Sequence, residues 1–226
     1  MMESKEYRNP IIPHGYWNTG TWNDRWIMED IFPGKRNGYF VDLGAFHPKW
    51  SSSTYLLEKE LGWLGILIDA NPAWDYSERT NCVDVRKGIS AKVETLDYWM
   101  MASGQPHHGY NGFPSISKHG ASHWWGRMTR NNVKPPTECS QIECLPLEQV
   151  LKDNNAPKHI DYLSVDIEGA EWEAFRKFPF SEYSFGAISV ESPTPNLKDL
   201  LKSEGYLQVE NLFSEKENDK YYIPKP

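Results

Sequence analysis

The chain has 226 residues, 39% hydrophobic and 14% aromatic, enough for one well-buried α/β domain and too little for two generous ones. Its formal net charge of -7 repels polyphosphate at long range and disfavours nucleic acid as a partner, although a local basic groove stays open. Its three cysteines, Cys82, Cys139 and Cys144, contain no CxxC pair, so neither a disulfide framework nor a zinc ribbon is indicated and a reducing, cytoplasmic setting is expected.

The N-terminal MMESKEYRNP is polar and lacks the apolar core of a signal peptide, and no stretch approaches the roughly 18 apolar residues that a membrane span needs. The expectation is a soluble, unprocessed chain. Gly38 to Gly44 (GYFVDLG) is a short apolar run ending in an acid and a glycine, the pattern of a buried parallel strand. Ser51 and Ser52 are good N-cap types, and Tyr55, Leu56, Leu57 and Leu61 then recur at helical spacing before Gly62, which predicts a crossover helix. Gly65 to Asp69 reads as a second buried strand, and Asn71-Pro72 as the start of a helix from Ala73 to Arg79. Strand, helix, strand makes a βαβ unit with a right-handed crossover.

Cys82 to Val85 is expected to be a third strand and Lys92 to Tyr98 a fourth extended piece. Residues 101–137 are rich in Gly, Pro, His, Ser and Trp without a sustained period, which favours a lid or binding loop over a linker. Beyond them the pattern predicts a strand at Glu138 to Leu145, a short helix at Leu147 to Lys152, and an apolar strand from Ile160 to Asp166. A helix beginning near Gly169 would carry Trp172, Phe175 and Phe178. Phe185 to Glu191 is β-rich, Pro195 to Ser203 helical, and Tyr206 to Leu212 with Tyr221 to Ile223 a closing antiparallel hairpin. Alternating β and α elements indicate an α/β fold with a doubly wound, mostly parallel sheet. We expect a single domain over 1–226, with 1–37 as an N-terminal segment and helix and 101–137 as an insert.

In such a sheet ligands bind beyond the carboxyl ends of the strands, near the point where strand order switches. Three strands end in carboxylates there: Asp42, Asp69 and Asp166. Asp42, Gly44 and Ala45 form DxGA, whose glycine lets backbone approach a bulky ligand while the acid accepts from an ammonium or hydroxyl. The GxGxxG fingerprint of dinucleotide binding is absent. Asp69 ends the next strand about 27 positions further on, where Rossmann-like folds place an acid that accepts from ribose hydroxyls, so a nucleoside cofactor is expected.

The blocks GYFVDLGAFHPKWSSSTYLLEKELGWLGILIDANP and IDYLSVDIEGAEWEAFRKFPF, with LPLEQVLKD before the second, resemble the FkbM family of S-adenosylmethionine-dependent methyltransferases. The resemblance covers about residues 22 to 100 and 138 to 192, takes in WNDRWIMEDIF as a leading helix, and leaves the middle insert unmatched. It implies a Rossmann-like class I methyltransferase fold with S-adenosylmethionine as cofactor. Asp42, Gly44 and Ala45 would face its methionine end, Ser53 and Thr54 would line its pocket, Asp69 would take the ribose, and Ser90 would sit near the adenine. The AFHP segment departs from the further glycine usual in the broader class, and His47-Pro48 stiffens that loop.

Asp166, Glu168 and Gly169 form DIEG at the strand end that, in this architecture, lies beside the transferable methyl. A carboxylate there orients or deprotonates a hydroxyl, and the same pair, Asp166 and Glu168, is a candidate site for Mg²⁺ or Mn²⁺. For Glu168 the alternative is an acid that complements a helix dipole. In the insert, Trp124, Trp125, Arg127, His119 and His123 are candidate acceptor-binding residues; the spacing of His119 and His123 would suit a helical metal pair, but Gly120 disfavours a helix. Loop aromatics suit a sugar face and equally suit ordinary packing. The resemblance implies O-methyl transfer, and the charge and the loop aromatics point to a small-molecule or glycan hydroxyl as acceptor. The alternatives are methylation of a nucleic-acid ribose or protein side chain, for which no basic stripe or recognition motif is seen, and a non-catalytic Rossmann-like module that binds a partner through its Trp-rich loop.

Overall fold

A computed structural model describes residues 22–100, 111–118, 138–214 and 218–226. Its main sheet has seven strands: β1 (Tyr39–Leu43), β2 (Leu64–Ile68), β3 (Cys82–Val85), β7 (His159–Val165), β8 (Ser184–Val190), β9 (Tyr206–Val209) and β10 (Lys220–Pro224). They lie in the order β3-β2-β1-β7-β8-β10-β9. The first five in that order run parallel, and β10 is antiparallel to both β8 and β9. A smaller sheet has the order β4-β6-β5, from β4 (Gly88–Ile89), β5 (Glu94–Met100) and β6 (Glu138–Leu145).

Period-two burial explains why the main sheet is covered on both faces. Val41, Ile66, Leu163 and Ile188 face one layer, formed by α3 (Leu147–Asp153), α4 (Glu171–Phe175) and α5 (Pro195–Ser203). Phe40, Leu67, Tyr162 and Ala187 face the other, where α2 (Tyr55–Leu61) packs with α1 (Asn23–Arg25) and the π-helical turn Trp26–Ile31 that continues it. This is the doubly wound, mostly parallel sheet with a C-terminal antiparallel pair that the sequence predicts.

Three local expectations need correction. Ala73 to Arg79 is a series of turns: Asn71 Oδ1 accepts from Ala73 N, Asp75 Oδ1 accepts from Ser77 N, and Arg86 binds the Asn71 and Trp74 carbonyls. Those side chains satisfy the backbone locally and so compete with a helical ladder. The helix expected near Gly169 begins at Glu171 and ends at Phe175, leaving Phe178 in the turn that follows. Finally, α2 starts at Tyr55, with Ser52 Oγ accepting from Thr54 N and Tyr55 N, so Ser52 satisfies first-turn donors from just outside the helix. Gly62 closes α2 in the left-handed conformation at φ 69°.

Candidate active site

Strand order reverses between β1 and β7, the switch point beyond whose carboxyl ends α/β sheets bind ligands. Backbone strain concentrates at this end of the sheet. Phe46 (φ 52°), Ser51 (φ 58°), Glu168 (φ 53°) and Ser192 (φ 42°) are all left-handed without being glycine, and they follow β1, β7 and β8. Phe46 is held in place by its own backbone groups: its N–H donates to Asp69 Oδ2 at 2.7 Å and its carbonyl accepts from the Tyr76 hydroxyl at 2.5 Å.

Asp42 stands on β1 opposite Ser164 of β7 and is buried. Burial raises its carboxyl above the ordinary range, and hydrogen bonds from Thr54 and Ser164 with the nearby Arg79 charge act the other way. Thr54 Oγ1 donates to Asp42 Oδ2 at 2.8 Å. Gly44 adopts φ 77°, and a β-carbon there would collide with the Asp166 carbonyl oxygen, so only glycine lets the β1 and β7 ends meet this closely. Ala45 is buried beside it, its N–H directed to the Ile68 carbonyl.

Asp69 lies just past β2. Besides Phe46 N on one oxygen it accepts from Asn71 N at 2.7 Å on the other. Burial pushes its carboxyl up to about 6, against these two bonds. Each carboxylate oxygen has two lone pairs, so one on each stays able to accept from a vicinal diol. That capacity fits the ribose of S-adenosylmethionine.

Ser53 receives a hydrogen bond from Asn23 Nδ2 at 3.2 Å, and Tyr221 donates to Asn23 Oδ1 at 3.1 Å, which ties the N-terminal helix to this rim. Ser90 is buried and donates to Glu94 Oε1 at 2.5 Å. Its hydroxyl proton is therefore used within the smaller sheet, and Ser90 would contact a ligand through its backbone or its remaining lone pairs.

Asp166 is exposed at the end of β7 and Glu168 is half-buried in the following turn. The acid placed to serve the helix start is Glu171, whose Oε1 accepts from Gly169 N at 2.8 Å. Glu168 lies outside the helix, so the dipole role considered for it belongs to Glu171. The described piece of the insert docks on this turn: Ser117 Oγ donates to the Glu168 carbonyl at 3.0 Å, Lys118 N to the Gly169 carbonyl at 2.8 Å, and Lys118 Nζ to Glu171 Oε2 at 3.2 Å. Trp124, Trp125, Arg127, His119 and His123 lie outside the described residues. Among the described residues no group of three or more His, Cys, Asp or Glu is arranged to hold a metal ion.

Two site residues carry no sequence signal. Tyr98 is buried on β5, close enough to Asp69 and Glu168 that, after desolvation, both carboxylates raise its phenol. It packs with Ala70, Phe113 and Cys144, seating the smaller sheet against the end of β2. Arg79, in a polar turn, becomes buried and reaches back to the loop after β1. A polar turn ordinarily predicts a solvated arginine.

The strand order, the acids at the ends of β1 and β2 and the glycine between β1 and β7 together define a Rossmann-like methyltransferase fold. The family model "Methyltransferase FkbM domain" matches residues 42–212. The chain belongs to the FkbM methyltransferase family, and such methyltransferases use S-adenosylmethionine. A comparison with curated proteins gives no match. Among solved structures, a Plasmodium falciparum protein described as a ribosomal RNA methyltransferase is similar at 16% identity and a TM-score of 0.45, covering 93% of this chain and 97% of that one. The fibrillarin pre-rRNA processing protein of Methanococcus jannaschii is similar at 13% identity and a TM-score of 0.39, covering 100% of this chain and 85% of that one. Among the described residues no helix is long and apolar enough to cross a membrane.

Proposed function

We propose that the protein transfers a methyl group from S-adenosylmethionine to a hydroxyl, that of a sugar or glycan. The observation that carries this reading is the exposed Asp166 at the switch point, its backbone packed against Gly44 of the cofactor-facing loop. When bound, the cofactor supplies a methyl group on a positively charged sulfur. Asp42, Gly44 and Ala45 would face its amino-acid end, Ser53 and Thr54 would line its pocket, and Asp69 would take its ribose diol. Asp166 would orient the acceptor hydroxyl and accept its proton as the oxygen takes the methyl, the pair of the broken sulfur–carbon bond staying on sulfur as a neutral thioether. A hydroxyl is scarcely ionised at neutral pH, so such a base contributes about 10²- to 10⁴-fold, and alignment contributes much of the remainder.

The insert, with His119, His123, Trp124, Trp125 and Arg127, supplies the acceptor side in this reading. Support comes from its residues 117 and 118, which are hydrogen-bonded to the turn that carries Glu168. Glu168 and Asp166 are the residues that would hold Mg²⁺ or Mn²⁺, since hard cations take oxygen ligands. The test is incubation with labelled S-adenosylmethionine and a panel of sugars, nucleotides and lipids, followed by mass analysis. Methyl on a carbohydrate oxygen supports the reading. Label only in nucleic acid or protein overturns the acceptor assignment.

A further inference from the structure

The loop from Phe46 to Thr54 has to hold a shape that its own residues resist, with Phe46 and Ser51 both left-handed. One guanidinium organises most of it. Arg79, in the turn between β2 and β3, directs Nη1 to the Pro48 carbonyl at 3.0 Å and to Ser52 Oγ at 3.3 Å, and Nη2 to Thr54 Oγ1 at 3.1 Å. Its Nε binds Glu58 of α2, and Glu58 also accepts from Asn81 N at 3.1 Å, from Lys59 Nζ at 3.0 Å and from the Cys82 thiol at 3.3 Å. Both members of the Arg79 and Glu58 pair are buried. A planar fork with five donors can make these contacts at once, and an ammonium cannot.

The contact with Thr54 has a directional consequence. A hydroxyl has one proton and two lone pairs. Arg79 donates to the Thr54 oxygen, so the Thr54 proton is left to point at Asp42 Oδ2, 2.8 Å away. The chain of donors Arg79, Thr54, Asp42 therefore fixes one carboxylate oxygen of Asp42, and with the hydrogen bond from Ser164 it sets the orientation of the whole carboxylate.

We infer that Arg79 is a positioning residue for cofactor binding, acting through Thr54 to orient Asp42 toward the amino-acid end of S-adenosylmethionine. This rests on the cofactor reading above and goes beyond it, because Arg79 contacts the loop after β1 and reaches Asp42 through Thr54. The inference separates the two ends of the ligand: the amino-acid end depends on Arg79, whereas the ribose depends on Asp69.

Calorimetric titration of the whole protein with S-adenosylhomocysteine and with adenosine, which lacks the amino-acid end, tests it. Thr54→Val, which keeps the Arg79 and Glu58 pair, should weaken S-adenosylhomocysteine about tenfold, the scale of one charge-linked hydrogen bond, and leave adenosine within about twofold. Arg79→Lys should do the same, and the double variant should be little worse than either single one, because both break a single chain of contacts. If Arg79→Lys loses its fold, Thr54→Val still decides the matter. Equal losses for both ligands, or no loss for either, would overturn the positioning role. Failure of the unmodified protein to bind S-adenosylhomocysteine would overturn the cofactor assignment and this inference with it.

Discussion

Gly44 lies so close to the main-chain carbonyl of Asp166 that a β-carbon on it would overlap that oxygen. The two residues follow adjacent parallel strands, and their contact brings the loop proposed to face the cofactor to the turn proposed for the chemistry. Gly44→Ala should therefore affect folding and binding together. We expect a loss of about 2 to 4 kcal/mol from the left-handed φ and the overlap, together with weakened S-adenosylhomocysteine binding. Denaturant unfolding and calorimetry measure the two. A variant as stable as the parent would show that the β1 and β7 ends separate more readily than this packing implies.

Asp69 links pH to both stability and binding. Its carboxyl is raised by burial from 3.8 to about 6, so folding favours its proton. That contribution is complete below about pH 4 and disappears as pH rises through about 6, a change of roughly 3 kcal/mol in the free protein. Ribose hydroxyls donate to the ionised form, so cofactor binding should release a proton, about three quarters of one at pH 5.5 and almost none at pH 8. Titrations in buffers of different ionisation enthalpy read this directly. Binding heats that do not depend on buffer at pH 5.5 would place the ribose elsewhere. Asp69→Ala should weaken binding by about 1.5 to 3 kcal/mol.

Lys118 and Glu171 form the clasp between the insert and the DIEG turn. Glu171 is fully buried, and burial raises its carboxyl against the opposing pull of Lys118. Lys118→Met strands that carboxylate and should cost about 2 to 4 kcal/mol at pH 8, and less at pH 5, where Glu171 can take a proton. Adding Glu171→Gln should recover part of the loss. Thermal melts at the two pH values distinguish this from a screened surface pair, which would change stability little at either.

Asp166→Asn keeps the side-chain shape and removes the proton acceptor. Turnover on the identified acceptor should fall by roughly 10²-fold or more while S-adenosylhomocysteine affinity stays nearly constant. If Mg²⁺ or Mn²⁺ shares the task, a chelator should reproduce the loss in the unmodified protein and added metal should reverse it. Full turnover by the variant would mean that the base lies elsewhere, with His119 and His123 next to test. Replacing Trp124 and Trp125 by Ala should impair acceptor use and spare cofactor binding, measured by initial rates and calorimetry on the same preparation.

The order of strands and helices was legible because it depends on local pattern. The apolar runs before Asp42, Asp69 and Asp166 have the length and flanking turn residues of buried parallel strands, and each places its acid at the same end of the sheet. Gly62 and Pro195 mark helix ends by their own backbone preferences. What the sequence left undecided are relations between distant residues and competitions that local pattern does not resolve. Ala73 to Arg79 has helix-compatible composition, yet Arg86, just past β3, claims the Trp74 carbonyl within it and the Asn71 carbonyl before it. The left-handed φ of Phe46 is sustained by Asp69 and Tyr76, which lie 23 and 30 positions away. Arg79 in a polar turn and Tyr98 on an alternating strand look unremarkable until packing desolvates them beside the site acids, because burial and partner, not residue type, decide what a charge or phenol does. Sequence by itself determined the strands and the acids at their ends; the tertiary structure alone decided which buried groups hold those acids in place, because burial and partner are set by packing between distant segments.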